Sequence, residues 1–182
     1  DVGTLGSYWE ANMELIDLIP EFNLYEEYWK IYTKSDTIEP LYVSPEGHSE
    51  RSIIGEGTEN YGYVQNSVIG SNVKIGKGAV IRDSIIMRDA VIGDRCTIDK
   101  SIIAENSRIG EGAVLGVGEE APNVLNESIY SFGLVTVGED TVIPENVRIG
   151  KNTAISGKTV HEDYPNGELA GGQVIIKAGD GK

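Results

Sequence analysis

The chain has 182 residues, with 15 Lys and Arg against 29 Asp and Glu, a net charge of −14 and 40% hydrophobic residues. That content is enough for a real core and excludes wholesale disorder, and the charge argues against nucleic acid or an anionic membrane surface as the main partner. No run of about 18 apolar residues offers a membrane span, no basic segment followed by an apolar one opens the chain, and one cysteine, Cys96, excludes an internal disulfide or a Cys-cluster zinc site.

A reducing cytoplasm fits this cysteine usage. The chain starts at Asp1 without an initiator Met and reads as a piece of something longer. Residues 1–20 open with DVGT. Ser7-Tyr8-Trp9-Glu10 then has the S-x-x-E form of a capping box. Trp9, Met13, Ile16 and Ile19 follow at helical spacing, and Pro20 closes the run. An amphipathic helix over roughly 7–19 is expected. Residues 21–50 are mixed. Trp29 to Thr33 reads as a strand, and Pro40, Pro45 and Gly47 mark a linker.

The body of the chain is a repeat. Residues 66–82, 83–99 and 100–116 stack without gaps as three 17-residue units. Within them a branched aliphatic recurs at 69, 75, 81, 86, 92, 98, 103, 109 and 115. Two residues before each stands a smaller side chain, such as Ser67, Ala90 or Cys96. A separation of two places both on one face of a strand. A step of five or six residues holds one short strand and one corner, and three steps close a triangular coil. Gly76, Gly93 and Gly110 permit a positive φ or a close approach at the corner. Fixed-period self-similarity is the signature of a solenoid. The expected fold is mainly β: a left-handed parallel β-helix of hexapeptide repeats, about five coils over 51–157, preceded by one amphipathic helix. Residues 117–133 break the rhythm and read as a loop leaving the coil. Residues 158–182 read as a cap and tail.

The segments DVGTLGSYWEANMELI and FNLYEEYWKIYT, followed by hexapeptide coils, resemble the C-terminal part of the glucose-1-phosphate adenylyltransferase family of bacterial glycogen synthesis. The coils are shared by many enzymes, whereas the DVGT…SYWEANM segment is far more specific. The resemblance implies a reaction of ATP with glucose 1-phosphate that yields ADP-glucose and pyrophosphate. It also implies Mg²⁺, with Asp1 of the D-V-G-T motif as one ligand in the parent enzyme, since a hard cation takes carboxylate oxygen. Residues 1–20 are then the tail of the nucleotidyltransferase domain. The nucleotide loop and sugar-phosphate pocket lie upstream in the family, so this piece alone is expected to be inactive.

In the family the β-helix serves oligomerisation, commonly as a tetramer, and control by anionic metabolites. Such effectors need Arg or Lys. Lys100 and Arg108 are the candidate effector-binding residues. The aromatic residues Tyr8, Trp9, Tyr25, Tyr28, Trp29 and Tyr32 read as a packing surface for the upstream domain. A hexapeptide acyltransferase would need a histidine base inside the coils, and His48 and His161 both lie outside 51–156. A non-catalytic regulatory paralogue and a nucleotidyltransferase for another sugar phosphate remain alternatives.

Overall fold

The computed structural model describes residues 3–24, 26–28 and 37–177. Short strands of two to four residues wind into a three-faced parallel β-helix. One face, called A, is a six-stranded sheet that starts at Tyr42–Val43, and the other two are seven-stranded. Face B starts at His48–Glu50 and face C at Ile53–Ile54. Every strand pair is parallel, as stacked coils of one hand require.

The predicted columns are present. Ile75, Ile92 and Ile109 are register partners on face A. Ile81, Ile98 and Leu115 stack on face B, and Ile69, Ile86 and Ile103 on face C. All nine are essentially inaccessible to solvent and share one core. The small partners fill the corners beside them. Ser84 Oγ accepts from Ser101 N at 3.1 Å and donates to Arg82 O at 2.6 Å, and Ser67 repeats the pattern one coil earlier. Each buried hydroxyl is thereby satisfied.

Several expectations are corrected. The coil has seven layers rather than five, a stack about 29 Å long. The first layer, Tyr42 to Ile54, lies mostly within the expected linker. Its pattern is weak because Ser49 stands where Val64 and Ile81 are buried in the next coils, and Asn60 breaks the column that Val43 begins. The last layer, Glu168–Leu169 and Val174–Ile176, lies in the expected cap. Gly76, Gly93 and Gly110 do not have positive φ. They permit the close approach instead: a Cβ on Gly93 would lie 2.7 Å from the Glu111 backbone nitrogen of the next coil. The left-handed residues come two positions later, at Gly78, Arg95 and Gly112.

The helix, α1, runs over Leu5–Glu14 rather than 7–19. Thr4 is its N-cap: Thr4 Oγ1 accepts from Ser7 N, and Ser7 Oγ accepts from Thr4 N, both at 3.1 Å. The capping box is therefore shifted three residues upstream, with Ser7 in the reciprocal position. The helix ends early because a short helix relies on tertiary packing, and that packing stops at Met13. Beyond it Leu18 and Ile19 are almost wholly exposed. The strand expected at Trp29 to Thr33 lies outside the described residues, as do Tyr25 and Tyr32.

Candidate functional site at the helix–coil junction

The outward positions of face C are also apolar. Ile53, Val68, Ile85 and Ile102 are successive register partners on the solvent side of the strands. Ile85 and Ile102 are nonetheless buried, together with Leu134, because Leu5, Tyr8, Trp9 and Met13 of α1 lie over them beside Met87. Tyr8 and Trp9 are therefore spent on the coil of their own chain, which corrects their assignment to a surface for an upstream domain. Tyr28 stays exposed.

Fixed contacts set the direction of α1. At its start Gly6 lies against the Phe132 ring. In the middle Trp9 Nε1 donates to Asp83 O at 2.7 Å. Past its end, Arg51 Nη2 pairs with Asp17 Oδ1 at 3.3 Å. The helix thus runs along the B/C corner, from the fifth coil back toward the first.

Phe132 belongs to the loop between the strands Val114–Val117 and Val135–Val137, which replaces the one- or two-residue B/C corner of the first four coils and the sixth. The expected departure from the coil is there, and it folds back. Asn152 ties it down: its Oδ1 accepts from Gly133 N at 2.7 Å and its Nδ2 donates to Ala121 O at 3.0 Å. Asn123 Nδ2 returns a bond to Asn152 O at 2.7 Å. The sequence carries one sign of this role, a polar residue where the corner needs positive φ.

Lys100 lies where helix, loop and coil meet. Its Nζ is 4.1 Å from the Phe132 ring centroid and 5.5 Å from that of Trp9. The two rings meet edge to face at 5.8 Å. Among the described residues no carboxylate lies within 4.0 Å of Lys100 Nζ. Arg108 is elsewhere. It is exposed in the middle of face A, in register with Val91 and Val142. Lys100 occupies the corner opposite that face, so the structure does not bring the two cations into one site.

Asp1 lies outside the described residues. Among the described residues no three His, Cys, Asp or Glu side chains are grouped to hold a metal ion. Cys96 is fully buried, and burial pushes its thiol up, which disfavours the thiolate a nucleophile needs. A cavity of about 190 Å³ lies on face B, lined by Val117, Glu119, Arg148, Glu168 and Leu169. Its Arg148 already pairs with Glu168 at 3.4 Å. No helix among the described residues is long and apolar enough to cross a membrane.

The family model of the EIF2B subunit epsilon LbH domain matches residues 43–120, the stretch that forms the regular coils. A glucose-1-phosphate adenylyltransferase of Lachnospira eligens is 68% identical over 180 residues, 99% of this chain and 43% of its own length. Over nearly its whole length the chain is similar to the glucose-1-phosphate adenylyltransferases. Those of Acetivibrio thermocellus and Thermotoga neapolitana are 41% and 44% identical over 99% and 97% of this chain. The chain spans less than half the length of these relatives and corresponds to their C-terminal part. The likeness runs through α1 and the loop as well as the coils.

Proposed function

We propose that this chain is the C-terminal part of a glucose-1-phosphate adenylyltransferase and serves assembly and control in that enzyme. The observation that carries the reading is the 68% identity over 99% of the chain, which includes the helix and loop and so exceeds what a shared coil demands. In the proposed reaction a phosphate oxygen of glucose 1-phosphate attacks the α-phosphorus of ATP. The bond to the β-phosphate bridging oxygen breaks, and pyrophosphate leaves with ADP-glucose formed. Mg²⁺ would supply charge neutralisation on the phosphates, with Asp1 proposed as one carboxylate ligand.

The part played by the described residues is mechanical. Trp9, Met13, Ile85 and Ile102 join the helix that follows the D-V-G-T segment to a rigid prism. The proposed enzyme is a cytoplasmic tetramer that responds to an anionic metabolite. Arg108 is the better-placed effector ligand, being exposed with no carboxylate within 4.0 Å among the described residues. Lys100 shares its charge with two rings.

The test uses protein from the complete reading frame that encodes this chain. With ATP, glucose 1-phosphate and Mg²⁺ it is expected to release pyrophosphate and form ADP-glucose. A product formed only with UTP or GTP would assign a sister nucleotidyltransferase. No product with any nucleotide would assign a regulatory paralogue.

A further inference from the structure

We infer that Lys100 is a positioning residue, a latch that holds helix α1 on the coil through the faces of Trp9 and Phe132. The B/C corner column of Arg51, Asn66, Asp83 and Lys100 has positive φ throughout, from 43° to 48°. Such a backbone favours Gly, Asn or Asp, and Asn66 and Asp83 follow that preference by bonding to one another. A long cation gains nothing from the corner itself. The two cations in the column stand where the chain of α1 is anchored: Arg51 meets Asp17 past the helix end, and Lys100 meets Trp9 at its middle. Their side chains, rather than the turn, account for their presence.

Phe132 points to the same contact. It also has positive φ, 66°, and Gly133 after it has 74°. A bulky non-glycine residue in this region is strained. The strain is held by Asn152, which bonds Gly133 N, and it aims the ring at the Lys100 ammonium and at Gly6. The Lys100 ammonium and the Glu120 carboxylate flank Gly133 without forming an ion pair within 4.0 Å, and two ring faces near the ammonium stabilise it by their quadrupoles. Three segments far apart in sequence are thereby tied at one atom, Lys100 Nζ. On the proposed function, α1 follows directly on the D-V-G-T segment, so the latch sets how rigidly the coil holds that segment.

The experiment uses the full-length protein and compares Lys100→Met, which keeps the aliphatic stem, with Lys100→Arg, which keeps the charge. Hydrogen exchange of the amides of residues 8–14 is expected to quicken about fivefold in Lys100→Met and to return to the wild-type rate in Lys100→Arg. Phe132→Leu, which keeps bulk but removes the ring face, is expected to match Lys100→Met and decides the matter if that variant does not fold. The kcat for ADP-glucose is expected to fall about tenfold in Lys100→Met, with KM for both substrates unchanged and with recovery in Lys100→Arg. Wild-type exchange in both Lys100→Met and Phe132→Leu would overturn the latch, as would a failure of Lys100→Arg to restore it. The kinetic arm rests on the proposed reaction: if the wild-type protein makes no ADP-glucose, that reading falls, and the exchange rates still decide the latch.

Discussion

The Thr136 hydroxyl is buried on the outer side of face C with no hydrogen-bond partner. Its register partners are Ile102 and Ala154, so the position lies in an apolar column and the oxygen is desolvated without compensation. Removing such a group while keeping its shape is neutral or favourable. Thr136→Val is therefore expected to raise stability by about 1 kcal/mol, read as a higher denaturant midpoint at unchanged slope. A lower midpoint would show that the hydroxyl bonds to something after all. Asn60 presents the opposite case. It interrupts the aliphatic column of face A, yet its Nδ2 donates to His48 O at 3.1 Å and its Oδ1 accepts from Gly62 N at 2.9 Å. A buried amide with both its oxygen and its nitrogen hydrogen-bonded replaces an isoleucine without leaving either atom unpartnered.

The coils owe their strength to neighbours above and below, because a strand of two or three residues has almost none alone. The same deletion should therefore cost different amounts along the stack. Ile92 is 1% exposed, with Ile75 and Ile109 on either side. Ile54, in the first coil, is only partly buried and has a register partner on one side alone. Ile92→Ala is expected to cost about 3–5 kcal/mol and Ile54→Ala about 1–2 kcal/mol, measured by equilibrium unfolding. Equal losses would mean that the prism does not behave as a stack. Helix α1 depends on the coil in a different way. It has no acidic residue in its first turn, no basic residue in its last and no fully buried residue. Its stability comes from the half-buried face laid on Ile85 and Ile102, and that is why it stops where the contact stops.

The far end of the prism is closed rather than left open. Tyr164 enters the core in place of an aliphatic, 2% exposed, and its hydroxyl meets Thr159 Oγ1 at 2.8 Å. The turn that carries Tyr164 is tied to the last strand by Asp163, which pairs with Lys177 Nζ at 2.5 Å. The Lys177 hydrogen bond, aided by the Val160 backbone N–H, holds the Asp163 carboxyl below its ordinary range. A carboxyl lowered in the folded state stabilises above its unfolded pKa, and that stabilisation is lost as pH falls through the lowered folded value. The protection of the Val174–Ile176 amides, measured as exchange relative to the intrinsic rate at each pH, is thus expected to fall as pH drops below about 4. Lys177→Met should flatten that dependence. An unchanged acid response in Lys177→Met would remove the pair from the closure of the coil.

The repeat was legible along the chain because each coil is specified locally. An aliphatic every five or six residues and a smaller side chain two positions before it are short-range requirements that 69 to 115 meet throughout, and the face A aliphatics Ile75, Ile92 and Ile109 add a glycine just after. Lys100 and Arg108 were both visible as cations on the coil, but their separation by the width of the prism was not. The outward pair Ile85 and Ile102 read only as β-formers, since nothing in a linear pattern shows which exposed column a distant helix will cover. The roles of Trp9, Phe132, Asn152 and Lys100 depend on the same fact. Each is defined by partners tens of residues away, brought together by three-dimensional packing, whereas the coil is defined by neighbours that the chain reaches within a single turn.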